Sequence, residues 1–269
     1  MAAVALSCSS ASSTDEAAPD AAFGLDVADP LPDVTPVEDA DGSLPGEDAQ
    51  TSDIASPPDA LPAGQVAAPP FGAVDGPCAE LAQLLLADGP SFRRNIFLFD
   101  ADPFDPDDLG PDARPMYDAP NAGGSSKCSE IFSMVALDAC LGADLYKTET
   151  TIEYTAEGSI TDLEITVGGE RYGVSVTRAY KGPITEFTSA DATALLTKKL
   201  EGINESTANV APADAWKRQI LYVWTLNEDW SDIVWDAWKT LDAPLKSDTV
   251  VIVTIESGAG YVTSDTCDD

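Results

Sequence analysis

An α/β domain with a mixed sheet, preceded by a long acidic segment, is the fold this sequence predicts, and three observations carry it. Composition changes at Cys78, from a stretch rich in Ala, Asp, Pro and Ser to one with regular apolar patterning. Beyond that point apolar residues recur at helical spacing in some stretches and alternate in others. Residues 249–255 (Thr-Val-Val-Ile-Val-Thr-Ile) form a nearly continuous apolar run, the pattern of a strand buried on both faces.

The opening residues Met1-Ala-Ala-Val-Ala-Leu-Ser-Cys8 resemble the end of a bacterial lipoprotein signal, in which a small or apolar run meets a lipid-accepting cysteine, here Cys8. The run before Cys8 is shorter than a complete signal needs, so such a signal is expected to start upstream of Met1. Residues 1–8 are therefore read as a signal remnant, and the location implied is the bacterial cell envelope, lipid-anchored and periplasmic or surface-exposed. Membrane contact is expected through that lipid alone, because no stretch approaches the roughly 18 apolar residues of a spanning helix. Residues 9–76 have almost no aromatics and cannot bury enough apolar surface to offset their chain entropy, so they are read as a disordered linker. Residues 77–269 form the globular domain, with its core at about 128–256.

Charge restricts the chemistry. The chain has 14 Lys+Arg, 47 Asp+Glu and no histidine, a formal charge of −33. Ser-His-Asp catalysis, Cys-His catalysis and His-ligated zinc are excluded. Such a surface repels phosphate backbones, so nucleic acid is disfavoured as a partner unless the domain acts on it enzymatically. The same surface favours solubility, cations and basic partners, and the sequence names no particular protein partner.

With Cys8 set aside, Cys78, Cys128, Cys140 and Cys267 suggest two disulfides of an exported domain. Cys128 and Cys140 bracket a predicted helix and lie about 18 Å apart along it, too far to bond. Cys78 and Cys267 are each expected to staple one end of the domain to that helix, in either of the two remaining pairings.

The elements follow in order. Residues 79–87 read as a short helix and 95–99 as an extended segment. Residues 100–108 hold five aspartates but lack the glycine and glutamate of an EF-hand loop, so they read as a solvated Asp-Pro loop. A helix at 129–141 carries the stripe Phe132, Val135, Ala136 and Ala139. Strands follow at 147–155, 159–167 and 170–178, with turns at Gly158 and Gly168-Gly169. Next come a helix at 189–203, a helix opened by Pro212 and running to about 226, a helix at 229–240 and the strand at 249–255. The predicted order is α-β-β-β-α-α-α-β.

Parity divides the three strands. Ile152, Tyr154, Leu163, Ile165, Val167, Tyr172, Val174 and Val176 share one face; Glu149, Thr151, Glu153, Asp162, Glu164, Ser175 and Thr177 share the other. Two-residue turns at both hairpins place Asp162 opposite Ser175 and Glu153 opposite Asp162, giving one polar row across three strands. Paired carboxylates there repel unless a proton or cation lies between them, and Mg²⁺ is the cation they suit. Asp162 and Glu153 are the metal-ligand candidates. Lys199 lies in the stripe Ala192, Leu195, Leu196, Lys199, Ile203, so its amine is directed at the sheet.

The order α-β-β-β-α-β, with an Asp on the second strand facing a short motif on the third, resembles the PD-(D/E)xK, or restriction-endonuclease-like, nuclease superfamily over about residues 128–256. The resemblance makes Asp162 the metal-binding acid. Ser175-Val176-Thr177 stands where the family has Glu-x-Lys. Glu153 or Glu164 would then supply the second carboxylate, Lys199 the amine from the following helix, and Glu130 an accessory acid on the first helix. Two functions are carried forward: a non-catalytic binding or scaffold domain on a nuclease-like frame, and a Mg²⁺-dependent phosphodiesterase using Asp162, Glu153 and Lys199.

Overall fold

A computed structural model describes residues 64–100, 104–119, 126–182 and 184–267. Cys8 and the linker up to residue 63 lie outside the described residues. The domain is α/β, with an eight-stranded mixed sheet and seven α-helices among the described residues.

The strands are β1 Gln65–Ala68, β2 Gly72–Asp75, β3 Ser91–Phe99, β4 Asp144–Thr148, β5 Leu163–Val167, β6 Glu170–Ala179, β7 Arg218–Thr225 and β8 Val250–Ser257. The helices are α1 Cys78–Leu86, α2 Arg114–Asp118, α3 Lys127–Leu141, α4 Ser189–Asn209, α5 Glu228–Thr240, α6 Ala243–Lys246 and α7 Tyr261–Ser264. Across the sheet the order is β1-β2-β3-β8-β7-β6-β5-β4. The centre, β3-β8-β7-β6, is parallel, and each edge is an antiparallel meander.

One core packs Leu81 and Leu85 of α1, Met116 of α2, Ile131 and Phe132 of α3 and Tyr261 of α7 against Val174, Val176, Tyr222, Trp224 and Ile252. The second packs α4 and α5, through Leu196, Leu200, Val234 and Trp238, against Leu221, Val223, Val251 and Val253. Helices therefore cover both faces of the sheet. Burial of β8 on both faces holds as predicted, with Val250–Val253 all buried.

Three expectations are corrected. The helix expected after Pro212 is instead a 3₁₀ turn, Pro212–Asp214, followed by central strand β7, whose eight residues are all buried. A fully buried strand lacks period-2 alternation, and its β-branched and aromatic residues (Ile220, Tyr222, Val223, Trp224) favour the pleated backbone. The domain also begins before Cys78. Residues 65–75 form β1 and β2, because Phe71 and Val74 reach the core and their backbone pairs onward to β3.

The third correction is the hairpin expected at Glu157-Gly158. Strand β4 ends at Thr148, and its register sets Thr148 opposite Leu163. Residues 149–162 then cross the C-terminal half of α4. There Tyr154 bridges to Val210, and Glu205 accepts from Ser159 N at 3.1 Å and Ser159 Oγ at 2.6 Å. A Cβ at Gly158 would sit 2.6 Å from Glu205 Oε1. The glycine thus serves close approach to a helix rather than a hairpin turn. The second hairpin forms as expected: Val167 pairs with Glu170, and Gly168 and Gly169 take φ of 60° and 85°.

The start of α1 and the C-terminal end of the domain are stapled to α3, by Cys78–Cys140 and Cys128–Cys267, with Cα separations of 4.8 and 5.5 Å. Of the two pairings left open, the structure selects this one. Disulfides of this kind persist in oxidising compartments, as expected of an exported protein. No helix among the described residues is long and apolar enough to cross a membrane.

Candidate functional site

Strand β5 starts at Leu163, while β6 runs on to Ala179. Beyond Val174 the edge of β6 therefore has no strand partner on that side, and its backbone groups need others. Two side chains supply them at one residue. Asp162 Oδ2 accepts from Val176 N at 2.5 Å, and Lys199 Nζ donates to the Val176 carbonyl at 2.7 Å. Lys199 reaches the sheet because it shares the α4 face that buries Ala192, Leu196, Leu200 and Ile203, its stem lying along that surface.

Glu130 enters from the first turn of α3 and is 9% exposed. Its carboxyl is pushed up to about 7, first by burial, then by Asp162 and Glu149; a hydrogen bond from Ser126 and the charge of Lys199 oppose this. Asp162 is also raised, chiefly by burial and further by Glu149, against Lys199 and the Val176 N–H. These mutual effects define one electrostatic group: Glu130, Glu149, Asp162 and Lys199. A cavity of about 20 Å³, the size of one water or ion, is lined by Glu130, Glu149, Asp162, Lys127 and Thr148.

The structure does not form the predicted row. Glu153 is exposed, and its backbone is turned toward the loop before β7: its N–H donates to Asp214 Oδ2 and its carbonyl accepts from Ala211 N, both at 2.8 Å. The proposed metal pair Asp162–Glu153 falls with the first hairpin. Glu149, one residue beyond the last β4–β5 pair, is the acid that acts on Asp162 instead. It lay on the polar side by parity, but register counted from the wrong turn passed over it.

Glu164 also lies apart from this group. It is fully buried between β4 and β6, 3.3 Å from Arg171, and neither carboxylate oxygen has a hydrogen-bond partner. Burial raises it to about 7; Asp214 adds to this, while Arg171 and Lys147 oppose it. Ser175 is buried, and Thr177 lines a cleft. That open cleft, of about 300 Å³, is lined by Ser126, Ser129, Thr177, Arg178, Tyr180 and Lys199, beside the acid cavity.

Among the described residues no three carboxylates or thiolates already stand in metal-coordinating range. The donor chemistry still fits Mg²⁺. Carboxylate and carbonyl oxygens are the hard ligands it takes, and one or two carboxylates with water and substrate phosphate suffice. The two carboxyls that line the small cavity, Glu130 and Asp162, are held above their usual range chiefly by burial.

No family model and no solved structure matches the chain. A curated relative, the AAC-rich mRNA clone AAC4 protein of Dictyostelium discoideum, is 42% identical over 148 residues, covering 51% of this chain. The chain spans 21% of that relative's length, and the relative's name states no activity.

Proposed function

We propose that the domain is a Mg²⁺-dependent phosphodiesterase of the nuclease-like kind, exported and held at the cell envelope through Cys8. The observation that carries this reading is the meeting of Asp162 and Lys199 on the two backbone groups of Val176, with Glu130 beside them. These side chains come from β5's entry, α4 and α3. The order α3-β4-β5-β6-α4-β7, an antiparallel meander with a parallel fourth strand, supports the resemblance to the PD-(D/E)xK superfamily.

In this reading Asp162 and Glu149 would hold Mg²⁺, which when bound supplies charge to a phosphoryl oxygen and to a water. Lys199 places a fixed positive charge where negative charge develops on the phosphoryl oxygens. Glu130, buried in the first turn of α3 beside Asp162, is placed to accept or return a proton. The reaction is hydrolysis: a water oxygen bonds to phosphorus, the ester P–O bond breaks, and the leaving oxygen takes a proton.

A second reading has its own observation. Ser175 and Thr177 stand where the superfamily has an acid and an amine, which suits a descendant that binds without chemistry. The two separate on one assay. Mg²⁺- or Mn²⁺-dependent cleavage of a panel of DNA, RNA and small phosphodiesters should fall at least about 100-fold in Asp162→Ala and Lys199→Met, with folding intact. A wild type inactive across the panel leaves the binding-domain reading.

A further inference from the structure

We infer that this site takes a nucleotide-sized substrate: one phosphodiester with one flanking base, from a small nucleotide or the end of a short single strand, and not a duplex. The inference rests on the phosphodiesterase reading and narrows its substrate. Three observations lead to it.

The first is size and shape. The cleft, open to solvent and of about 300 Å³, lies at the lower end of small-molecule sites and has room for one nucleotide unit. The second is local charge. Lys199 and Arg178 bring two cations to the cleft, with hydroxyls from Ser126, Ser129 and Thr177 beside them. Arg178 is held there by its own contacts, donating to the Val262 carbonyl at 2.9 Å and lying 4.0 Å from Asp265. The chain as a whole is formally −33, a balance that disfavours a long polyanion. A long polyanion loses where a single phosphate gains.

The third is aromatic. Tyr180 lines the same cleft, half-buried, and its ring lies 6.0 Å from Trp230, which in turn packs on buried Phe187. The ring is therefore backed by packed side chains and stands next to the cations. An aromatic ring backed in this way, with two cationic side chains and three hydroxyls lining the same cleft, is an arrangement on which a base stacks while its phosphate meets them.

The test uses the full chain in EDTA, so that binding is read without turnover. Tryptophan fluorescence follows titration with 5′-phosphorylated dithymidine dinucleotide, a phosphorylated single-stranded octamer, a 30-base-pair duplex and inorganic phosphate. The dinucleotide should bind at least about tenfold tighter than inorganic phosphate, and the duplex no tighter than the dinucleotide. Octamer affinity matching the dinucleotide's assigns strand ends as substrate; octamer affinity well below it assigns free nucleotides. Tyr180→Ala should weaken the dinucleotide about 5- to 150-fold, the range of one lost base stack, while Tyr180→Phe retains it. Thr177→Glu adds an anion to the cleft without touching the ring and should also abolish binding, which decides the matter if Tyr180→Ala does not fold. The inference is overturned if the dinucleotide binds no better than phosphate, if Thr177→Glu leaves it unchanged, or if the duplex binds most tightly. Dinucleotide binding without any metal-dependent cleavage sinks the phosphodiesterase reading alone. Duplex cleavage without dinucleotide binding sinks this inference alone.

Discussion

Glu164→Gln should make the domain more stable at pH 8 and leave it nearly unchanged at pH 5. Glu164 is 0% exposed, and the one opposite charge in ion-pairing range is the Arg171 guanidinium at 3.3 Å. Arg171 is itself shared with the Ala213 carbonyl and the Tyr146 ring. Desolvation outweighs that attraction, so the folded protein holds the Glu164 proton up to about 7, against 4.5 for an ordinary glutamate. The sign follows from proton counting. Between those two values the folded state binds more protons than the unfolded one, so stability falls as pH rises through that window and stays low above it. At 1.36 kcal/mol per pH unit the loss is about 3 kcal/mol. Glutamine has the same shape without the charge, and it removes that loss. Glu130 is shifted in the same direction but is present in both proteins, so the difference between them isolates Glu164. Urea unfolding of both proteins, disulfides intact, at pH 5, 6, 7 and 8 measures it. The curves should diverge by about 3 kcal/mol toward pH 8. Parallel curves would refute the reasoning and mean that water or a hydrogen bond stabilises the Glu164 carboxylate.

Other perturbations follow from equally local causes. Arg218 is 4% exposed and spends its guanidinium on the carbonyls of Leu84, Ala87, Gly89 and Asp248, tying the end of α1 to β7 and the approach to β8. Arg218→Met should cost about 1–3 kcal/mol in chemical denaturation, because four backbone carbonyls lose their donor. Removing the Cys78–Cys140 bridge by a double serine substitution opens a span of 62 residues and should cost about 4 kcal/mol, with a lower Tm as the readout. Trp224 donates its indole N–H to the Ser129 carbonyl and to Ser133 Oγ, at 3.1 and 2.9 Å. Trp224→Phe should lose about 1–3 kcal/mol, and protection of α3 amides in hydrogen exchange should drop with it.

The legible parts of the fold were those whose sequence signal matched their environment. The helix α3 itself, the Gly168-Gly169 hairpin, the doubly buried β8 and the tie of Cys78 and Cys267 to α3 all follow from local spacing, although Ile131, Met134 and Leu137, outside the predicted stripe, are buried more deeply than Val135 and Ala139. Strand β7 was hidden because burial on both faces erases alternation, and Pro212 pointed to a helix start that became a 3₁₀ turn. The edge strands β1 and β2 were hidden by a small-residue, proline-containing composition that resembles linker; pairing to β3 and the anchor Phe71 order them. The site shows the same division. Lys199 was visible from its place in an apolar stripe, and Asp162 from its position at the in-register hairpin. Glu149 replaced Glu153 because Ser159 and Tyr154 are drawn to α4, an interaction no strand pattern contains. The covered polar face was also illegible: Glu164 and Ser175 look like surface residues by type, yet both are buried in the fold.

A crystal of the protein soaked in Mn²⁺ and measured for anomalous scattering asks most directly whether the acids of α3, β5 and the β4–β5 connection share one cation. An anomalous peak in the small cavity between Glu130, Glu149 and Asp162, lost in Asp162→Asn, is the expected result. Full Mn²⁺ occupancy elsewhere with that cavity empty, or an identical peak in Asp162→Asn, would contradict the account.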